Sequence, residues 1–173
     1  TPSLSGEMES LVFRPAWNVP YSIVRKEMLA KIRSNPGYLG KERLDIVGGG
    51  APTQAVTKAT LAGLASGALG LRQRPGPDNS LGLLQFIFPN DEDIYLHATP
   101  ARSLFARPRR DFSHGCIRVE DPVTLAEFAL RDQPAWTRAR ILASMTAGST
   151  SQVDVLEPIP VYVEYLTAVA QPG

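Results

Sequence analysis

The sequence predicts an α+β, mainly-β domain. Helical patterns gather in two blocks, 22–66 and 121–147, and strand patterns lie before, between and after them. The two kinds of element do not alternate, which argues against a parallel, doubly wound sheet.

In chain order, Glu7 to Phe13 reads as a strand that runs into Arg14-Pro15, and Trp17-Asn18-Val19-Pro20 reads as a turn. Ser22 is placed to cap a helix reaching Ser34, with Ile23, Met28, Leu29 and Ile32 as its apolar stripe. Asn35-Pro36-Gly37 stops it, and a loop containing Gly48-Gly49-Gly50 follows. Thr53 to Ser66 is rich in Ala and Leu and reads as helix, whereas 70–82 reads as turns. Strands are expected over 82–88 and 93–97, then a long basic loop over 98–115. Asp121-Pro122 opens a helix to about Arg131 that buries Val123, Leu125, Ala126, Phe128 and Leu130. A further helix over 135–147 and two strands, 153–156 and 159–166, complete the reading.

The totals bound the function. At 173 residues, 43% hydrophobic and 20% charged, the chain can bury one core with a small appended subdomain. Eighteen basic and 17 acidic residues leave a net charge of +1, which excludes a strong general pull toward nucleic acid or anionic membrane. No apolar run is long enough to span a bilayer. No leader pattern opens the chain, which by itself does not place it in the cytosol. A single Cys rules out an internal disulfide.

That cysteine sits in Ser113-His114-Gly115-Cys116-Ile117-Arg118, just ahead of a helix start. Gly115 frees the backbone to turn beside Cys116, and Arg118 and the helix N-terminus both favour a thiolate. Backbone N–H groups near Gly115 and Cys116 suit an oxyanion hole, so the local chemistry is that of acyl transfer through a thiol nucleophile. Two imidazoles compete as its base: His97 at a strand end, and His114 two residues away. Three other readings compete with it. Cys116 can be a buried packing residue. His97, His114 and Cys116 have the right ligand types for zinc, although no carboxylate or second Cys stands at metal-ligand spacing. Arg102, Arg107, Arg109 and Arg110 are either a solvated face or a carboxylate-binding surface.

His97 followed by the contiguous Ser113-His114-Gly115-Cys116 block and Arg118 resembles the signature of the L,D-transpeptidase catalytic domain. Tyr95-Leu96-His97-Ala98-Thr99-Pro100, Leu104-Phe105-Ala106-Arg107-Pro108 and Val119-Glu120-Asp121-Pro122 resemble its large periplasmic branch. So do Trp17-Asn18-Val19-Pro20, Asn35-Pro36-Gly37-Tyr38 and Pro75-Gly76-Pro77-Asp78-Asn79. The resemblance implies a β-sandwich core with a helical cap, and helices after the catalytic loop. Residues 1–173 would be one catalytic domain, with 15–74 inserted as a capping lid.

It also implies an enzyme without cofactor or metal, at work on peptidoglycan stem peptides in the periplasm or cell envelope, with a part in cell-wall biogenesis and cell shape. Cys116 would take the acyl group of the third stem residue with loss of the terminal D-alanine. The amine of an acceptor stem would then resolve it into a 3→3 cross-link. His97 is the base in this mapping; Ser113, His114 and Gly115 shape the oxyanion site, and Tyr95, Arg118 and Arg102 bind substrate. Carbapenem-type β-lactams are the implied inhibitors. An L,D-carboxypeptidase or endopeptidase would use the same site with water as acceptor, and a non-catalytic wall-binding module would keep the pocket without turnover. Two departures stand out. Ala98 occupies a position where relatives often carry a polar residue or Gly. Thr1-Pro2-Ser3-Leu4-Ser5 opens where the family has further strands, which are expected from an N-terminal fragment, domain or segment outside this chain.

Overall fold

A computed structural model describes residues 1–164. The chain divides into two compact units, Thr1–Arg14 with residues from Leu81 onward, and Pro15–Ser80. The first strand, β1 (Leu4–Phe13), belongs to the former and starts three residues before the strand expected from sequence.

Within Pro15–Ser80, β2 (Trp17–Val19) leads into a helical run made of α1 (Tyr21–Ile23), a π-turn (Val24–Met28) and α2 (Leu29–Ser34). After α3 (Tyr38–Lys41) come β3 (Leu44–Val47), α4 (Lys58–Ser66) and β4 (Gly70–Gln73). The three strands form an antiparallel sheet in the order β2-β4-β3. Leu29, Ile32, Leu39, Leu44, Ile46, Leu64 and Leu71 fill its core.

Several expectations need correcting here. Trp17–Val19 is a strand, not a turn, because β4 supplies a partner three residues long. The stretches read as loop and turns contain β3 and β4, whose pairing is long-range and leaves no periodic signal in four residues. Ser22 does not cap the first helix; Pro20 stands at the N-cap and no side chain bonds there. The apolar stripe does hold, and its five-residue step from Ile23 to Met28 matches the wider π-turn, which buries Val24 as well. The helix expected from Thr53 begins at Lys58. Thr53 is taken by a two-way backbone bridge to Ile46 (2.8 and 3.1 Å), and Thr57 with Thr60 forms the capping box.

In the other unit, β5 (Leu84–Ile87), β6 (Leu96–His97) and β7 (Ile117–Arg118) are followed by α5 (Pro122–Ala129), α6 (Arg138–Thr146) and β8 (Ser151–Val163). The five strands run in the order β7-β6-β5-β1-β8. All pairs are antiparallel except β6 with β7. Leu11, Phe13, Leu84, Phe86, Phe88, Ala126, Leu130 and Ile141 are buried against one another, and Trp136 stacks on Phe13 at 5.2 Å. The α+β class read from the sequence therefore holds.

Asp121 caps α5 as expected, accepting from Thr124 N at 3.0 Å. Phe128, expected in the core, is 52% exposed with the Arg131 guanidinium over its ring. The two expected final strands are one, β8. Its register against β1 breaks between Ser10↔Asp154 and Met8↔Ile159, where Pro158 cannot donate to a ladder. Residues 165 and 166 of the expected second strand lie outside the described residues.

Candidate active site

The site is organised by the short parallel pairing of β6 with β7. Leu96 stands opposite Ile117 and His97 opposite Arg118. Ile117 N donates to Tyr95 O (3.0 Å) and Val119 N to His97 O (2.9 Å). A twenty-one-residue offset therefore brings the end of the basic loop beside the strand that carries His97. Parallel partners in step share a face, so His97 and Arg118 project to the same side of the sheet. Cys116, one residue ahead of β7, is in step with Tyr95.

His97 is buried, at 4% exposure. Its Nδ1 lies 2.5 Å from the Ala98 carbonyl oxygen. A carbonyl only accepts, so the neutral ring carries its proton on Nδ1 and presents Nε2 as the basic atom. Burial pulls the ring's pKa below the ordinary histidine value, and the Arg118 charge pushes the same way. Opposing them are the carbonyl of Ala98 and the backbone of Leu81, which favour the protonated ring. The ring is thus neutral at rest and has backbone acceptors beside it when it takes up a proton. Tyr95 meets it edge-on, with centroids 6.0 Å apart.

Cys116 is half-buried, and its thiol donates to the Asp93 carbonyl at 3.9 Å. Asp93 adopts a positive φ of 52° inside a turn held by Asn90. That side chain donates to the Phe88 and Ile94 carbonyls (2.7 and 2.6 Å) and accepts from Glu92 N and Ile94 N (both 3.1 Å). Gly115 has φ 145°, a conformation that a side chain strongly disfavours. Its N–H donates to Ser113 Oγ (3.2 Å), and its carbonyl accepts from Thr1 Oγ1 (2.6 Å). Ser113 and His114 are exposed.

A cavity of about 250 Å³ opens at the thiol, lined by Leu104, Phe105, Phe112, Arg110, Cys116 and Arg118 among others. Of the residues expected to bind substrate, Arg118 lines this cavity. Arg102 is exposed at the start of a 3-10 turn (Arg102–Ala106) and is not among the lining residues. Arg109 is held in a two-bond pair with Asp111 (2.7 and 2.6 Å) and points its charge there. Among the described residues no three His, Cys, Asp or Glu side chains converge on a metal-sized site.

The L,D-transpeptidase catalytic-domain model (YkuD) matches residues 1–155. The chain belongs to this family. A protein of Haemophilus influenzae named "Putative L,D-transpeptidase" is 30% identical over 176 residues, an alignment that covers 100% of this chain and 35% of that protein. The chain thus spans about a third of the length of the curated relative it matches. Among the described residues of this L,D-transpeptidase domain, no helix is long and apolar enough to cross a membrane.

Residue-by-residue reading of the sequence missed three contributors to the site: the Ala98 carbonyl, Asn90 and Gly82. Gly82 (φ 65°) lets the chain pass so close to the next strand that an added Cβ would lie 2.7 Å from Thr99 N and 2.8 Å from Ala98 C. That approach sets Leu81 beside His97. The signal was present, since a Gly at the head of a strand pattern often marks close backbone approach. The carbonyl of Ala98 leaves no trace in side-chain identity.

Proposed function

We propose that this chain is the catalytic part of an L,D-transpeptidase that cross-links peptidoglycan stems through an acyl-enzyme on Cys116. One observation supports the reading: the strand that directly follows the Ser113-His114-Gly115-Cys116 block, Ile117–Arg118, is hydrogen-bonded in parallel register to the strand bearing a buried histidine whose Nδ1 meets the Ala98 carbonyl. His97 Nε2 takes the Cys116 proton. The thiolate attacks the carbonyl carbon of the third stem residue, and the oxyanion forms near the backbone of Gly115 and Cys116. In this structure the Gly115 N–H is engaged by Ser113 Oγ, so Ser113 must turn away for that donor to serve. The C–N bond then breaks, the imidazolium returns its proton to the leaving D-alanine amine, and a thioester remains. An acceptor amine attacks the thioester, loses a proton to His97, and regenerates the thiol with a new amide bond.

His97 is preferred to His114 as the base because it is buried and oriented by a backbone acceptor, whereas His114 is exposed. The substrate places the enzyme in the periplasm or cell envelope, and carbapenem-type β-lactams are read as acylating inhibitors. Pro15–Ser80 is read as the capping insertion. Its two connections leave neighbouring points of one sheet, since Phe13 pairs with Leu84 and Arg14 N donates to Leu83 O (2.9 Å).

The experiment is incubation with a tetrapeptide stem and mass analysis of products. Cross-linked dimers with free D-alanine are expected. D-alanine without dimers would move the assignment to an L,D-carboxypeptidase.

A further inference from the structure

Between β5 and β6 the chain runs through residues 88–95 outside any strand. One side chain stands in for the ladder. Asn90 Nδ2 donates to the carbonyls of Phe88 (2.7 Å) and Ile94 (2.6 Å), and its Oδ1 accepts from Glu92 N and Ile94 N (both 3.1 Å). A side-chain amide has two N–H donors and two acceptor sites, so all four are used. Carbonyls at one end and N–H groups at the other also fix which way the amide faces.

The end of this segment meets the cysteine loop at three consecutive residues. The Asp93 carbonyl accepts from the Cys116 thiol at 3.9 Å. Ile94, 5% exposed, lies under Gly115, where an added Cβ would sit 3.6 Å from Ile94 Cγ1. The Tyr95 carbonyl accepts from Ile117 N (3.0 Å). The first contact has a definite cause. The Asp93 carbonyl and the Ile94 N–H belong to one peptide plane, and in a trans peptide they point in opposite directions. Asn90 Oδ1 holds the N–H end, so the carbonyl end faces the thiol. Asp93 takes its φ of 52° inside this clamp, a conformation uncommon outside glycine and kept only where the surroundings impose it.

We propose that Asn90 is a positioning residue for the nucleophile: through one peptide plane it aims the Asp93 carbonyl at the Cys116 thiol and seats Ile94 beneath Gly115. The role rests on the acyl-transfer reading above. Asn90 itself does not line the cavity at the thiol. A cysteine places its sulfur by a single torsion with three staggered wells. A fixed acceptor selects the well in which the thiol reaches it, so the sulfur is set before a stem peptide arrives. Ile94, held by the same side chain at both its N–H and its carbonyl, supports the turn at Gly115 from below.

The test is single-turnover acylation of the full 173-residue chain by a tetrapeptide stem, with amplitude and rate constant read separately. Amplitude reports the folded fraction, and the rate constant reports how well the folded protein is set for attack. Asn90→Ala removes all four bonds and should lower the rate constant roughly 10- to 100-fold, the cost of displacing a reacting group by about 1 Å. Asn90→Asp keeps the two acceptor bonds, the one to Ile94 N included, and loses both donors, so it should recover part of that factor. Iodoacetamide needs no fixed approach to the sulfur and should alkylate Asn90→Ala within about 3-fold of the wild-type rate. A lowered amplitude with an unchanged rate constant in Asn90→Ala would mean that Asn90 only holds the fold, and overturns the proposal. Equal rate constants in Asn90→Ala and Asn90→Asp overturn it too, as does alkylation that falls in step with acylation. If neither variant folds, nuclear magnetic resonance on wild type decides: Cys116→Ala should shift the Asp93 carbonyl-carbon and Ile94 amide resonances, and unmoved resonances overturn the contact. A wild-type chain that the tetrapeptide does not acylate overturns the acyl-transfer reading itself, and this inference with it.

Discussion

The two units handle their buried polar groups differently. In Pro15–Ser80, Asp45 is gripped by Arg74 through two bonds (2.7 and 2.6 Å). Gln73 spans Glu42 O and Ser80 N, and Asn79 donates to Arg74 O. Every buried polar side chain there holds another piece of the same unit. In the unit that carries Cys116, the buried Ser10 and His97 are also partnered, by Gln152 Nε2 (3.2 Å) and the Ala98 carbonyl, but among the described residues the buried Nε atoms of Arg14 and Arg118 find no acceptor, and the thiol makes one long contact. Charge divides along the same line. Residues 15–80 hold nine basic and four acidic side chains, the rest nine and thirteen, and all four lysines are in the insertion. One unit closes its polar network internally, and the other leaves two buried guanidinium nitrogens without an acceptor among the described residues. Unpaired buried groups in a folded protein call for an explanation.

The largest effect that sharpens this contrast is at His97. His97→Gln should slow acylation of Cys116 by about 10²- to 10⁴-fold, measured as D-alanine release from a tetrapeptide. In wild type the sign of the pH dependence is set by the neutral ring. Activity is full above the folded pKa and is lost as pH falls through it. Because burial depresses that pKa, the acid limb should lie below about 6.5. A limb at or above that value would mean that burial does not govern this ring.

Next comes Gly82→Ala. The new Cβ meets backbone rather than flexible side chain, so the strands around His97 must part. Thermal unfolding should report a loss of about 1–3 kcal/mol, with acylation falling alongside it. Retained activity with lowered stability would separate the fold of this segment from its role in setting the base.

The smallest effect falls in the insertion. Asp45→Asn should cost about 1 kcal/mol, since its partner Arg74 is half-exposed and screened. Arg74 holds the Asp45 carboxyl below its ordinary pKa. The stabilisation is therefore present above about pH 4 and fades as pH falls through the folded value, so variant and wild type should converge in acid. Iodoacetamide should alkylate Cys116 at an unchanged rate in this variant. A changed rate would show that the two units are coupled.

The sequence was most legible where chemistry is local. Ser113-His114-Gly115-Cys116 stands in one contiguous block and gave the family, and Asp121-Pro122 announced its helix because capping involves only nearby residues. Legibility failed where a partner from elsewhere decides. Trp17–Val19 and Gly70–Gln73 are strands because they pair with each other, and neither is long enough to show a period. Phe128 looked like core on helical spacing, but Leu130 and Ala129 occupy the inward positions and Arg131 covers its ring. At the site, side-chain types named His97 and Cys116 as candidates. The groups that surround them are the backbone carbonyls of Ala98 and Asp93 and the Arg118 charge, which depend on register rather than on local spacing.

The central claim is that Cys116 carries the acyl group of a stem peptide, and intact-mass analysis of the protein during turnover with a tetrapeptide tests it most directly. A transient adduct equal to the donor minus D-alanine is expected, mapped by peptide digestion to Cys116 and missing in Cys116→Ser. Release of D-alanine by Cys116→Ser at the wild-type rate, or an adduct on any other residue, would contradict it.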